Sequence, residues 1–338
     1  MHCTFGMDEG AEIRKECLMP TLILTRRDTL TLLNMKDVIG AVEQGFRDWT
    51  QGSGVMPPKA YLQVKDGDFR AMPASLPGAA GIKWVNVHPG NPAKGLPTVM
   101  AVLICNDPST GYPLAIMDAT DITAFRTGAT SAIASRFLAR KNSKTLGVVG
   151  AGRQAYTQIL ALLEYFSFKT IKAYDISPKV TEHLIKSLPD QPVVASSLIE
   201  AVQSDIVCTV TPARQPIVKQ EWILPGTHIN AVGADAEGKE ELEPTIVKMA
   251  RVVVDDIRQS VKAGEINVPI SKGLYSQHDV YGTLGELVTN QKRGRANDNE
   301  VTIFDSTGVA IEDIAVAHML YLNAKQRGIG LTVNLVDA

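Results

Sequence analysis

Midway along the chain, Leu146-Gly-Val-Val-Gly150-Ala-Gly152-Arg-Gln-Ala155 places glycines at alternate positions after an apolar run, and 23 residues past Gly152 the stretch Ile171-Lys-Ala-Tyr174 ends on Asp175. Those residue types at that spacing suit a dinucleotide. In a strand-loop-helix unit Gly150 permits the tight turn, and Gly152 lets the backbone approach a pyrophosphate lying against the amides of the next helix. Ala155 takes the third glycine position, a substitution the fingerprint allows. Thr145 to Val149 reads as a buried strand, and Arg153 to Phe166 as a helix with apolar Ile159, Leu160, Leu162 and Leu163. Asp175 would accept hydrogen bonds from ribose hydroxyls and repel a 2'-phosphate, so NAD is expected over NADP, with Lys172 and Lys179 as the nearby opposing charges. The same residues would also serve an ordinary strand-to-helix turn, with Asp175 capping the helix near Pro178.

Further residues could handle a small charged substrate. Lys83 stands between apolar Ile82 and Trp84-Val85, a setting that suits either a side chain aimed into a polar cavity or a solvated lysine on a strand's outer face. Lys59 follows Pro57-Pro58, which stiffens its approach. Arg126, flanked by Phe125 and Thr127, needs an anionic partner, either an internal acid such as Asp118 or Asp121 or a bound carboxylate or phosphate. Asp235 lies just past the strand His228 to Val232, at the carboxyl edge where doubly wound sheets hold ligands; a loop aspartate bonding its own backbone is the plainer reading. His88, followed by Pro89-Gly90, is expected to order a turn or line a pocket. The histidines are scattered and no cysteines pair as C-x-x-C, so no metal site is expected.

These residues need a scaffold. A length of 338 residues favours two domains, and 45% hydrophobic and 21% charged residues with a net charge of −2 argue for a soluble protein without a nucleic-acid or membrane footprint. Met1 to Leu18 has no apolar core of a secretory signal and reads as a loosely attached extension. Four scattered cysteines, Cys3, Cys17, Cys105 and Cys208, fit reduced thiols and a cytoplasmic location.

A short strand at Leu22 and a helix from Lys36 to Gln51 lead into a β-rich stretch at Ala60 to Val64, Phe69 to Met72, Gly81 to Asn86, Thr98 to Asn106 and Leu114 to Met117. After a small-residue helix from Ile122 to Ala139, strands alternate with helices: Thr145 to Val149, Ile171 to Asp175, Val193 to Ala195, Ile206 to Val210, His228 to Val232, Arg251 to Val254 and Val301 to Phe304. That alternation predicts an α/β protein with a Rossmann-type doubly wound parallel sheet plus a separate α/β domain. The helix Ala310 to Lys325 and a strand near Leu331 to Leu335 are expected to fold back onto the N-terminal part.

Together, Met56-Pro-Pro-Lys59, Gly67-Asp-Phe-Arg70-Ala-Met-Pro73, Lys83-Trp-Val-Asn86-Val-His88-Pro-Gly90-Asn91, Arg126-Thr-Gly128-Ala, Gly233-Ala-Asp235 and Phe304-Asp-Ser306-Thr-Gly308 resemble the ornithine cyclodeaminase and mu-crystallin family, and within it the archaeal-type alanine dehydrogenases. The likeness runs from Leu22 to the C-terminus. It implies a homodimer with an extension at 1–18, a substrate-binding and dimerisation domain at 19–137 and 311–338, and an NAD-binding domain at 138–310. It implies NAD-dependent oxidation of L-alanine to pyruvate and ammonia, with ornithine cyclodeamination, cyclic ketimine reduction and non-enzymatic ligand binding as alternatives. It assigns catalysis to Lys83, Asp235 and Lys59, and substrate binding to Arg70, Lys83, Arg126 and Lys59. Cofactor contacts fall on Arg126, Thr127, Gly150, Gly152, Arg153, Gln154, Asp175, Ser177, Thr211, Val232, Gly233 and Ser306. Two positions depart from the cyclodeaminases: Lys59 stands where they tend to have arginine, and Arg70 where they tend to carry an acid suited to ornithine's distal ammonium.

Overall fold

A computed structural model describes residues 20–336. The expected extension, with Cys3 and Cys17, lies outside the described residues; Cys105 and Cys208 are buried free thiols.

Two sheets organise the chain. The first takes β1 (Thr21–Leu24), β2 (Ala60–Val64), β3 (Gly67–Leu76), β4 (Ala79–Val87), β5 (Val99–Asn106) and β6 (Pro113–Asp118). The second takes β7 (Thr145–Val149), β8 (Thr170–Tyr174), β9 (Val193–Ala195), β10 (Ile206–Thr209), β11 (His228–Ala231), β12 (Arg251–Val254), β13 (Gly282–Thr283) and β14 (Thr302–Asp305). The last strand, β15 (Leu331–Val333), returns to the first sheet, whose order is β15-β1-β6-β5-β4-β3-β2. All its pairs are antiparallel except β1 with β6.

The second sheet is parallel throughout, in the order β13-β12-β14-β11-β10-β7-β8-β9. Its strand order reverses between β7 and β10, so the crevice outside their carboxyl ends is the ligand position of a doubly wound fold. The expected strands are all present.

Four helices bear on the site: α1 (Arg26–Leu32), α2 (Met35–Thr50), α3 (Thr120–Leu138) and α4 (Arg153–Leu163). Sequence patterning omits α1, a short, polar helix held at its start by a Thr25–Asp28 capping box. It also omits β13, two residues long. In α3, Gly128, Ala129, Ala132 and Ala134 are all buried. Gly128 lies so close to the backbone of Thr157 that a side chain there would collide with it, which lets α3 pack tightly on α4. The C-terminal helix, Ala310–Arg327, packs against α2, α3 and both β3 and β4. Chain distant in sequence is thereby brought beneath the first sheet.

Alternation along β4 divides its side chains between two environments. Lys83 is 1% exposed and Val85 is buried, whereas Trp84 is 42% exposed. Val102 on the neighbouring β5 and Leu62 on β2 are also exposed, and Phe69 of β3 stacks on Trp84 with ring centroids 5.4 Å apart. One face of this sheet is thus apolar and open, while the other carries the charged residues.

Candidate active site

The crevice between the sheets is a cleft of about 370 Å³. On its dinucleotide side the chain leaves β7 through Gly150, at a φ of 95°. That left-handed conformation favours glycine, and a side chain would also press on Val210 and Thr211. Gly152 differs: its φ is −74°, and a Cβ would meet nothing within 4 Å. No packing within the protein demands glycine there, whereas a pyrophosphate laid along the backbone would. Helix α4 starts on Gly152 without a side-chain cap, so its first amides keep donor capacity for an anion.

Asp175 follows β8, and its two oxygens accept the N–H groups of Ala151 and Ser177, each at 2.9 Å. The carboxylate is fixed beside the glycine turn, with lone pairs to spare for ribose hydroxyls. Lys172 does not compete for it, because its ammonium donates to the carbonyls of Glu200 and Gln203, both at 3.0 Å. Sequence reasoning passed over Ile176, an isoleucine 91% exposed beside this acid. Its signal is an apolar residue inside a polar turn. Two cleft-lining atoms, Gln154 Oε1 and Ser306 Oγ, are buried without a protein partner among the described residues. Together these features fit a nicotinamide dinucleotide.

Backbone on both cleft walls is held by buried acids. Glu241 accepts the N–H and hydroxyl of Thr211, both at 2.7 Å, and the Gly233 N–H at 2.9 Å. Asp255 accepts the N–H groups of Thr307 and Gly308 at 2.6 and 2.7 Å.

The opposite end of the cleft is rich in cations. Lys59 Nζ donates to the Thr307 carbonyl at 2.8 Å. Burial, aided by Arg126 and Arg70 nearby, pushes its ammonium down to about 8 against the opposing pull of Asp255 and Asp235. Lys83 Nζ lies 2.8 and 2.7 Å from the two oxygens of Asp313. Burial and the Arg126 charge bring it down to about 7 even so. Arg126 donates from Nη1 to Glu312 at 2.6 Å and from Nε to Asp313 at 3.2 Å. Its partners are therefore neither Asp118 nor Asp121, the internal acids suggested by sequence. Asp118 bonds Thr120, and Asp121 pairs with Arg26 and Arg153.

Arg70 donates to Asp68 at 2.7 Å and Asp235 at 3.2 Å, and Asp235 also pairs with Lys239. Burial alone would raise the Asp235 carboxyl, but Lys239 and Arg70 outweigh it and hold it below its ordinary range. It stays ionised at neutral pH. The charge of Arg70 is balanced locally, so its repulsion of a distal ammonium is weaker than sequence alone implies.

Of the residues singled out from sequence, Lys59, Arg70, Lys83, Arg126, Thr127, Arg153, Gln154, Thr211, Val232, Gly233, Asp235 and Ser306 all line the cleft. Gly150, Gly152, Asp175 and Ser177 stand outside its lining, along the path a dinucleotide would follow from the glycine turn. His88 bonds Asn86 at 2.9 Å and meets Phe69 edge-on, side-chain contacts to β4 and β3, and it does not line the cleft. Glu312, Asp313, Glu241, Asp255 and Lys239 were missed. Among the described residues no three His, Cys, Asp or Glu side chains cluster as metal ligands, and no helix is long and apolar enough to cross a membrane.

The sequence profile of the ornithine cyclodeaminase/mu-crystallin family matches residues 19–328. An alanine dehydrogenase of Archaeoglobus fulgidus is 51% identical over 314 residues, 92% of this chain and 98% of that one. The solved structure of an archaeal alanine dehydrogenase dimer with bound NAD superposes with a TM-score of 0.92 at 49% identity, covering 94% of this chain and all of that one. A Δ1-pyrroline-2-carboxylate reductase of Thermococcus litoralis, in complex with NADH and L-proline, gives a TM-score of 0.89 at 39% identity, over 93% of this chain and all of that one. With the glycine turn, its acid and the cationic cleft all in place, the chain belongs to the ornithine cyclodeaminase/mu-crystallin family.

Proposed function

We infer that this protein is an NAD-dependent L-alanine dehydrogenase, converting alanine, NAD and water reversibly to pyruvate, ammonia and NADH. The observation that carries this reading is the 51% identity to the Archaeoglobus enzyme over nearly the whole of both chains. The cleft supports it. Its substrate end offers Lys59 to a carboxylate, with Arg126 and Lys83 held beside it by Glu312 and Asp313, while Asp235, the acid lining the cleft, is paired with Arg70 and Lys239 and so ill suited to the distal ammonium of ornithine.

In this reading Arg126 and Lys59 fix the substrate carboxylate and so orient the alpha carbon. Bound along Gly150, Gly152 and Asp175, the nicotinamide dinucleotide supplies the acceptor for the hydride leaving that carbon. Lys83, brought near neutrality, takes a proton from the substrate ammonium and later returns one to the departing nitrogen. Asp235, ionised and partly exposed, accepts a hydrogen bond from the water that adds to the imine, and the protons this water sheds as the carbonyl forms pass to the departing ammonia and to solvent.

Residues 19–137 with 311–338 form the substrate-binding and dimerisation part in this proposal, and 138–310 the NAD-binding part. The open apolar face around Phe69, Trp84, Val102 and Leu62 suits a second copy, consistent with the dimer of the archaeal relative. A cytoplasmic location fits the reaction's need for NAD, and it fits the buried free thiols Cys105 and Cys208.

Absorbance at 340 nm tests the activity. NADH should accumulate with L-alanine and NAD; ammonia released from L-ornithine without NADH would make the protein a cyclodeaminase instead. For the cofactor, Asp175→Ser should relax selectivity, improving kcat/KM for NADP relative to NAD by about 10-fold or more through loss of like-charge repulsion (~1.4 kcal/mol). An unchanged NAD/NADP ratio would remove Asp175 from the ribose site.

A further inference from the structure

Lys83 stands on the first sheet and Arg126 on α3, yet the acids that hold them come from the opening turn of the C-terminal helix, 186 to 230 residues further on. Asp313 is fully buried and touches both: Lys83 Nζ lies 2.8 Å from its Oδ1 and 2.7 Å from its Oδ2, and Arg126 Nε donates to Oδ1 at 3.2 Å. Its neighbour Glu312, equally buried, reaches only Arg126. The site is therefore incomplete without this helix turn.

We propose that Asp313 is a positioning residue for the reaction, a single buried carboxylate that ties Lys83 to Arg126 and holds the lysine ammonium in place at the cleft. This rests on the dehydrogenase reading of the cleft. The groups facing Lys83 are Asp313 from the C-terminal helix, Arg126 from α3 and Lys59 from the segment before β2. One step further out lie Glu312, against Arg126, and Asp255, against Lys59 and Arg126. Asp313 is the only acid in direct contact with the ammonium among the described residues. Two cations and the desolvated setting oppose it. Removing the Asp313 charge leaves Lys83 facing only the cations Arg126 and Lys59, so protonated Lys83 is disfavoured further and the proton leaves at lower pH.

The geometry also explains why the loop before this helix must be glycine at position 308. Its φ is 72°, and a side chain there would strike the Arg126 guanidinium, displacing it from Asp313 and Glu312. Asp255 fastens this same loop by its Thr307 and Gly308 amides. Loop, arginine and helix turn thus lock one another, and Asp313 is where that lock meets the proton-active lysine.

The test is the pH profile of kcat/KM in Asp313→Asn, with Glu312→Gln as its control. It is taken on whichever of L-alanine, L-ornithine or a cyclic ketimine the wild type turns over, so failure of the alanine reading leaves it intact. Asp313→Asn should lower kcat at least 10-fold and move the limb assigned to Lys83 toward acid by about one pH unit or more, with NADH affinity kept. Glu312→Gln should raise KM and leave that limb in place. A limb unmoved in Asp313→Asn, or moved equally in Glu312→Gln, would overturn the proposal. Should Asp313→Asn not fold, Asp313→Glu decides, because it keeps the charge but shifts the contact: a drop in kcat with normal NADH affinity supports the role, and wild-type kcat overturns it.

Discussion

Replacing Lys83 with methionine is expected to lower kcat for alanine oxidation by about 10³-fold while the Kd for NADH stays within a factor of about two, the first figure being the usual scale of a lost proton-transfer group. The argument is geometric. Lys83 stands on β4 of the first sheet, facing the cleft, whereas the dinucleotide elements Gly150, Gly152 and Asp175 lie at the carboxyl ends of β7 and β8 in the second. Methionine fills nearly the same volume, and Asp313 retains Arg126 as a partner, so the fold should survive. Steady-state kinetics alongside NADH fluorescence titration separates the two effects. A variant with kcat within tenfold of wild type would take Lys83 out of the chemistry.

Arg126→Met is expected to have the largest effect on stability, a loss of about 3 kcal/mol or more at pH 8, because it leaves the buried Glu312 carboxylate without its cation. Glu312 would lose its partner and Asp313 would keep only Lys83. The deficit should depend on pH. Burial already raises Glu312 to about 7 despite Arg126, and without the arginine its pKa in the folded state rises further. A group whose folded pKa is raised gives stability at low pH that is lost as pH climbs through that value. In the wild type this loss is complete shortly above pH 7; in the variant it continues. Urea midpoints at pH 6 and pH 8.5 should therefore differ more in Arg126→Met than in the wild type, and an equal deficit at both pH values would count against an ionised Glu312.

Much of the dinucleotide end was legible in sequence because its chemistry is local. Gly150, Gly152 and Asp175 fall within a single β-α-β unit, and the turn conformation and chain spacing are dictated over that short range. The substrate end was harder to read. Alternation usually turns a lysine outward and its apolar neighbours inward, yet β4 has Lys83 buried and Trp84 open because the outer face of this sheet is itself apolar. The partners of Arg126 were illegible for another reason. Two acids in the first turn of a helix have an ordinary explanation in the helix dipole, and nothing in their spacing points back to residue 126. Helix α1 escaped notice because its stability comes from a cap and from Arg26 reaching Asp121, not from an apolar stripe.

Asp235 shows how neighbouring charge refines a role that the family resemblance assigns. The resemblance gives it to catalysis, and Lys239 and Arg70 hold its carboxyl below the ordinary range, which suits orienting water better than accepting a full proton. The two lysines brought down to about 7 and 8 are better matched to proton exchange near neutrality.

The stoichiometry of NADH to ammonia during turnover of L-alanine tests the central claim most directly. One NADH and one pyruvate for each ammonia is the result expected of a cleft that oxidises the alpha carbon and releases its products. Ammonia formed without net NADH, or no turnover of alanine at any pH between 7 and about 10, the range over which lysines brought below their free value lose their protons, would contradict it.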